Sequence, residues 1–255
     1  MRFALFGSGS KGNATIVEHG KTRLLVDCGF SVRELERRMV RLGVEGASLS
    51  AILLTHEHSD HLGGAGALAR KYKLPLWLTA GTARAAEKRL GELPQRHLLN
   101  CHARFAIGDL EVAPFPVPHD AREPCQFVFS DGAHRLGLLT DTGLSTPHIQ
   151  RQLSGCDALI LECNHDREML RDGPYPPHLQ QRIASALGHL SNEQAAMILQ
   201  KLDNSALQHL VAAHLSETNN SPELAAASLS AALGCETDWI ALADQEEGLS
   251  WREIS

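Results

Sequence analysis

A short apolar run that ends in a cluster of metal-binding side chains constrains this chain most strongly. Residues 51–55, Ala-Ile-Leu-Leu-Thr, are long enough for a buried strand and too short for a helix. The run stops at His56, Glu57, His58, Ser59, Asp60 and His61. Because alternate side chains at a strand end point to one side, His56 and His58 can bind one cation, and the next two ligand-type residues can reach a second. Imidazole and carboxylate ligands together favour zinc, manganese or iron.

The composition is that of a globular protein. The 255 residues are 43% hydrophobic, and 24 Lys and Arg against 30 Asp and Glu give a net charge of −6. These proportions exclude a disordered chain, and no apolar run is long enough to span a bilayer. Residues 1–6 lead into a glycine-rich stretch too early for a signal peptide, and the six scattered cysteines are typical of reduced thiols. We therefore expect a cytoplasmic protein with no membrane partner.

Strands and helices alternate along the chain, with no linker or composition shift, so we expect one layered domain over residues 1–255. The apolar patterns and turn residues predict strands at 2–6, 14–18, 22–27, 51–55, 76–79, 104–107, 110–117, 126–130, 135–140, 158–162, 207–213 and 238–242. Helices are predicted from Ser31 to about Leu42, and at 62–72, 83–90 and 177–187, with further helices opening at Ser191 and at Ser221.

The cluster at residues 56–61 resembles the signature of the metallo-β-lactamase-fold hydrolases. That family implies a histidine, an aspartate and a second histidine after later strands, and His119, Asp141 and His214 each follow a predicted strand in that order. Taken singly, His119 could be a loop residue with Asp120 as the ligand, Asp141 could start a turn, and His214 could cap a strand. The resemblance implies an α+β fold, a four-layer αβ/βα sandwich.

The resemblance also implies a ligand set for two divalent metal ions, with zinc or manganese expected and iron possible. One ion would be held by His56, His58 and His119, and Asp141 would bridge to a second ion held by Asp60, His61 and His214.

Further motifs resemble the YycJ/WalJ branch of this family. They are the loop at 7–13, Glu162-Cys163-Asn164-His165-Asp166, the stretches at 173–176 and 188–192, and the segment from His214 to Asn220. The resemblance extends from Phe3 to about Asn220. It implies a metal-dependent phosphodiesterase with DNA as substrate, most specifically a 5′-to-3′ exonuclease that uses a hydroxide bridging the two metals.

Asp60 and His189 are the predicted catalytic residues. His189 resembles the histidine that ribonuclease Z-like relatives place near the scissile phosphate; the alternative is a histidine that caps a helix or lies on the surface before Ser191. Ser8, Asn13, His165 and Asn219 are predicted substrate contacts, with structural roles as the alternative.

Two other hydrolytic functions fit the ligand set, and a third alternative is not catalytic. A small-molecule or cyclic phosphodiesterase, or a glyoxalase-II-like thiol-ester hydrolase, would share most of these residues. A non-catalytic binding module would keep the scaffold without needing a complete set of ligands. The sequence does not indicate an oligomeric state.

Overall fold

The computed structural model describes residues 1–255 and contains two seven-stranded sheets. The strands in chain order are β1 (Arg2–Gly7), β2 (Ala14–His19), β3 (Thr22–Val26), β4 (Ala51–Leu53), β5 (Pro75–Thr79), β6 (Gln95–Leu99), β7 (Phe105–Ile107), β8 (Leu110–Pro116), β9 (Cys125–Ser130), β10 (Arg135–Leu139), β11 (Ala158–Glu162), β12 (His209–Ala213), β13 (Ala241–Leu242) and β14 (Leu249–Glu253). The α-helices are α1 (Val32–Arg41), α2 (Ser59–Leu62), α3 (Ala65–Tyr72), α4 (Ala80–Leu90), α5 (Pro147–Leu153), α6 (Arg167–Asp172), α7 (Pro177–Ile183), α8 (Asn192–Leu199) and α9 (Pro222–Leu233). Short 3₁₀ helices lie at Gly46–Ser48 and Thr237–Trp239.

Both sheets combine an antiparallel part with a parallel part. The first has the order β14-β1-β2-β3-β4-β5-β6, and β3 to β6 are parallel. The second has the order β13-β12-β11-β10-β9-β8-β7, and β10 to β13 are parallel. Because β8 and β10 are both antiparallel to β9, they run in the same direction. The carboxyl ends of β8, β10, β11 and β12 therefore meet at one edge, where ligands bind in open α/β sheets.

Three apolar cores separate four layers. Side chains of both sheets, such as Phe3 and Phe127, form the central core between them. Outside the first sheet, Leu35 of α1 packs with side chains of α3 and α4. Outside the second sheet, Leu153 of α5 and Leu229 of α9 pack with α8. Since each apolar face needs a partner layer, this arrangement confirms the predicted α+β four-layer αβ/βα sandwich.

Several predicted elements match the structure closely. The strand at Ala158–Glu162 has the predicted bounds, and Ser31 caps α1 by accepting a hydrogen bond from the Glu34 N–H. Ser191 and Gln194 form a reciprocal capping box at the start of α8.

Other predicted elements are wrong in extent. The helix expected at 62–72 is two helices, because the chain breaks at Gly63 and Gly64, where a Cβ on Gly64 would collide with the Phe30 carbonyl. The helix expected at 177–187 ends at Ile183. The strand expected at 238–242 is a 3₁₀ turn followed by the short β13.

Four elements were not predicted at all: β6, α5, α6 and β14. The last of these joins the first sheet beside β1 and pairs Arg2 with Glu253, a contact between the two ends of the chain. No helix in the structure combines the length and apolarity needed to cross a bilayer. The single domain over residues 1–255 stays a prediction.

Candidate metal centre

The predicted ligands converge at the carboxyl ends of strands from both sheets. The cluster at 56–61 follows β4 and opens α2, while residues 119, 141 and 214 follow β8, β10 and β12. Asp141 and His214 adopt positive φ angles of 52° and 55°. For non-glycine residues this left-handed backbone is uncommon and costs energy, and such outliers cluster at functional sites.

The first group of side chains is His56, His58 and His119. Their ligand atoms lie within 4.8 Å of one another, and His119 Nε2 is 3.3 Å from His58 Nδ1. The Nδ1 of His119 donates to the Gly188 carbonyl at 3.1 Å, so Nε2 is directed into the group. The group therefore presents three imidazole nitrogens to one point.

The second group is Asp60, His61 and His214, whose ligand atoms also lie within 4.8 Å of one another. Asp60 Oδ2 is 3.4 Å from His61 Nε2 and 3.7 Å from His214 Nε2. Asp141 lies between the two groups: its Oδ2 is 3.3 Å from His61 Nε2, and it also lies within the same reach of His56. The structure thus brings all seven predicted ligands together.

The fit to divalent cations rests on buried atoms that lack partners. His56 Nε2, Asp141 Oδ2 and His214 Nε2 are inaccessible to solvent and make no hydrogen bond. Buried polar atoms are almost always paired, because an unpaired one costs free energy. These three atoms all face the point where the ligands converge. Imidazole and carboxylate donors suit zinc, manganese or iron, so the residues fit the metal site that the fold implies.

Burial and charge set the protonation of these ligands. Burial lowers the pKa of His56 well below its usual value, with a further lowering from the nearby His61. Burial also lowers the pKa of His119. Both imidazoles are therefore neutral at neutral pH, which is the form that binds a metal. Burial opposes the charge of Asp60, but the nearby imidazoles of His214 and His61 more than offset it and lower the pKa of that carboxyl.

Asp27 and Thr55 hold two of the imidazoles in place. Asp27 Oδ2 lies 2.8 Å from His61 Nδ1, and Thr55 Oγ1 lies 3.0 Å from His56 Nδ1. Thr55 also donates its hydroxyl and its backbone N–H to Asp27, at 2.8 and 2.9 Å. Fixing Nδ1 in this way directs Nε2 of each ring toward the metal site and raises its basicity.

Glu162 holds the other side of the centre. It is fully buried, accepts from His189 Nδ1 at 2.7 Å and lies 3.3 Å from His214 Nδ1. The backbone N–H groups of Thr142 and Leu190 donate to its second oxygen. Burial disfavours its charge, yet the charge of His189 and the side-chain contacts with His189 and His214 lower the pKa of Glu162 to about 2.

His189 stands between the ligands and the solvent. Its side chain is 22% exposed, and its ring stacks on that of His214 at 5.2 Å between centroids. Its Nδ1 is held by Glu162, and its Nε2 makes no hydrogen bond within the chain. Both predicted catalytic residues, Asp60 and His189, line a pocket of about 440 Å³.

The wall of this metal pocket includes residues that the sequence did not single out. Arg182 donates to Asp120 at 2.6 Å, and Arg89 and Tyr175 also line the pocket. Asp120, the alternative ligand, lies outside the two groups, with Oδ1 3.5 Å from His119 Nε2. Of the supporting residues that were also missed, Asp27 and Glu162 could have been found, because each ends a predicted strand at the edge that carries the ligands.

The four predicted substrate contacts lie outside the lining of the metal pocket. Ser8 is buried and accepts from the His214 N–H at 2.8 Å, and Asn13 bonds to Gly9 and to the Asp60 carbonyl. Asn219 is buried and bonds to Ser216. These bonds suit them to hold the loops that carry ligands. Direct contact of these three with substrate stays a prediction, while His165 lines a neighbouring pocket.

Comparison with known proteins agrees with this geometry. Residues 22–214 match the family model described as a beta-lactamase superfamily domain. The chain is 39% identical over 235 residues to exodeoxyribonuclease YycJ of Bacillus anthracis, covering 91% of this chain and 89% of that protein. It is 38% identical to exodeoxyribonuclease WalJ of Streptococcus pneumoniae serotype 2 over 228 residues, covering 88% and 85% of the two chains.

Solved structures share the fold. The metallo-beta-lactamase fold protein YhfI from Bacillus subtilis superposes with a TM-score of 0.77 at 18% identity and covers 99% of both chains. Zinc-bound PqqB from Methylobacterium extorquens superposes with a TM-score of 0.75 at 17% identity over the whole of both chains. The chain thus belongs to the metallo-β-lactamase superfamily, in the branch that contains YycJ and WalJ, as the sequence motifs predicted.

Proposed function

We propose that this protein is a metal-dependent phosphodiesterase that degrades DNA as a 5′-to-3′ exonuclease. The proposal of a hydrolytic metal centre rests on the convergence of seven residues with nitrogen and oxygen donors. In three of them the donor atom is buried and has no hydrogen-bond partner. The names of YycJ and WalJ, relatives that match along most of the chain, support DNA as the substrate. A cytoplasmic location belongs to the same proposal.

Two divalent cations, zinc or manganese with iron as a further possibility, are the proposed cofactors. His56, His58 and His119 would hold one, and Asp60, His61 and His214 would hold the other. When bound, such ions lower the pKa of water to about 7 and neutralise charge on phosphoryl oxygens. Asp141 has neighbours in both groups, which supports a bridging role for it.

His189 is the proposed acid or hydrogen-bond donor toward the substrate. Glu162 fixes Nδ1, so that Nε2 faces the pocket and can donate to a phosphate oxygen or to the departing oxygen. A positioned acid of this kind contributes about 10²–10⁴-fold to the rate. Asp60 lines the same pocket and combines a ligand role with contact to the reacting groups.

The wall of the metal pocket suits an anionic polymer. Arg89 and Arg182 place guanidinium groups beside the ligands, and these bind phosphate oxygens well. Tyr175 adds an aromatic surface against which a base can stack. A small-molecule diester would contact fewer of these residues, so the pocket favours a strand of nucleic acid.

The experiment that tests the function is digestion of DNA labelled at either the 5′ or the 3′ end by protein loaded with manganese or zinc. We expect the 5′ label to appear at once in the smallest products, while the 3′ label shortens in steps. Parallel reactions contain a bis-aryl phosphodiester and a glutathione thioester. Hydrolysis of either compound with no release of nucleotides from DNA would overturn the proposal.

A further inference from the structure

A second pocket of about 420 Å³ lies beside the metal pocket. Its polar lining comes from His165, Arg167, Arg171, Gln180, Gln181 and Gln194. No acidic side chain is among the residues that line it, although the whole chain carries a net charge of −6. Guanidinium and amide donors without carboxylates are the chemistry that binds phosphate oxygens. We call this space the basic pocket.

Helix α7 forms the partition between the two pockets. Leu179, Arg182 and Ile183 line the metal pocket, whereas Gln180 and Gln181 line the basic pocket. At 100° per residue these two sets fall on opposite faces of the helix. No residue of α7 is buried, so the helix stands on the surface with a polar space on each side.

The basic pocket contains guanidinium hydrogen-bond donors that make no bond within the chain. Both contacts of Arg167, to Ser191 Oγ at 3.2 Å and to Glu193 Oε2 at 3.5 Å, use Nε, so the two terminal nitrogens make no hydrogen bond within the chain. Arg171 is bound to Asp172 at 2.8 Å and keeps a further nitrogen for another partner. The two side chains are 57% and 66% exposed, so they can turn toward a ligand.

His165 forms the floor of the basic pocket. It is 2% exposed and pairs with Ser191 in an isolated β-bridge. Burial lowers the pKa of His165 to about 4, so the ring is neutral at neutral pH, and its Nδ1 donates to Asn164 Oδ1 at 3.4 Å. Its neighbour Asn164 lines the metal pocket, so one short segment of chain contributes to both spaces.

We propose that the basic pocket binds a backbone phosphate of the same DNA strand whose 5′ end occupies the metal pocket. This inference rests on the proposed function. A helix is about 10–12 Å across with its side chains, which is longer than one nucleotide step along an extended strand. The phosphate in the basic pocket therefore lies a few nucleotides beyond the scissile bond, on the 3′ side.

The test is binding of 3′-labelled single-stranded DNA with nuclease-resistant phosphorothioate linkages to zinc-loaded protein, measured by fluorescence anisotropy. The double variant Arg167→Gln and Arg171→Gln removes the two guanidinium groups. We expect its affinity for an eight-nucleotide strand to fall about tenfold, because charge-assisted bonds to phosphate are lost. Affinity for a dinucleotide, which is too short to pass α7, should not change.

The salt dependence gives a second readout. Each phosphate contact on single-stranded DNA contributes about 0.7 to the slope of log affinity against log salt concentration. The double variant should lose about that amount for the eight-nucleotide strand. The matched control is Arg96→Gln with Arg151→Gln, two exposed arginines that line neither pocket and carry the same charge change.

Equal binding of the eight-nucleotide strand by the two double variants would overturn the inference, as would an equal loss for the dinucleotide. An RNA strand that binds the wild type more tightly than DNA of the same sequence would overturn DNA as the ligand. Failure of the proposed function is separate, because it would show as wild-type protein that releases no nucleotides from DNA when loaded with metal.

Discussion

The two faces of α7 differ in how their functional groups are held. On one side, the ligands of the metal pocket extend from strand ends, and most are buried and fixed by hydrogen bonds. On the other side, the arginines of the basic pocket extend from a short helix and are more than half exposed. A metal ion demands fixed ligand geometry, whereas a flexible phosphate backbone does not. The rigidity of each wall therefore matches what it has to bind.

This contrast predicts that substitutions in the metal pocket cause large losses of cleavage or metal binding, whereas substitutions in the basic pocket weaken DNA binding by small amounts. Asp141 is the most sensitive position, because its carboxylate has neighbours in both ligand groups. We expect Asp141→Ala to lose several orders of magnitude in DNA cleavage, together with metal. Initial rates and elemental analysis measure both, with the exposed Asp238→Ala as control. An active Asp141→Ala enzyme that retains two metals would contradict the predicted difference between the two pockets.

His189 should show the next largest effect. Its Nε2 faces the metal pocket without belonging to the seven ligands, so His189→Ala should slow cleavage by about 10²–10⁴-fold and leave the metal content unchanged. His178→Ala on α7 is the control, since that imidazole is exposed and lines neither pocket. If metal is lost from His189→Ala, this histidine is itself a ligand.

Asp27 tests the rigidity of the metal pocket without touching its ligand atoms. Asp27→Asn keeps the size of the side chain but weakens the bond that holds His61 Nδ1. We expect metal affinity to fall about 10–100-fold, as is usual for groups that orient a ligand. Competition with a chromogenic chelator measures it. The matched variant Asp109→Asn changes a carboxylate in the turn between β7 and β8 and should bind metal like the wild type.

The centre could be predicted from sequence to the extent that its groups follow strands. The four ligands at residues 56–61 lie within six consecutive residues, and His119, Asp141 and His214 each come directly after a predicted strand or its short extension. The same signal marks Asp27 and Glu162 as further strand-end carboxylates but not their roles, because Glu162 contacts His189 only when β11 and the loop before α8 bring the two together.

The missed elements share a similar cause. Strand β14 is stabilised by pairing with β1 at the opposite end of the chain, which no local pattern reveals. The break at Gly63 and Gly64 depends on the close approach of the Gly29–Phe30 backbone. Short helices such as α6 depend on a single cap, here the Asp166 side chain, which accepts from two backbone N–H groups. Long-range contacts therefore decide what local propensity leaves open.

The smallest effect is expected for Asp131→Asn, which lies outside both pockets and should change only the stability of the fold. Burial opposes its charge, but the backbone N–H groups of His134 and Ala133 offset this and lower the pKa of Asp131. Its carboxylate also lies 3.2 Å from the amino group of Met1. Removing these charged interactions in Asp131→Asn should lower the Tm by roughly 2–5 °C at pH 7 and leave the metal content unchanged.

The pH dependence of that loss has a defined sign. The folded-state pKa of Asp131 lies below its unfolded value of about 3.9, so the stabilisation is complete above about pH 4 and is lost as the pH falls through the folded-state pKa. Thermal unfolding between pH 7 and pH 3 checks this. A difference in Tm that grows as the pH falls below 4 would contradict the assignment.

The central claim is that seven side chains from two sheets bind two cations at one edge of the sandwich. Anomalous scattering from crystals grown with manganese or zinc tests it most directly. We expect two peaks in the metal pocket, one among His56, His58 and His119 and one among Asp60, His61 and His214, with Asp141 in contact with both. No peak in that pocket, with the seven side chains pointing apart, would contradict the account.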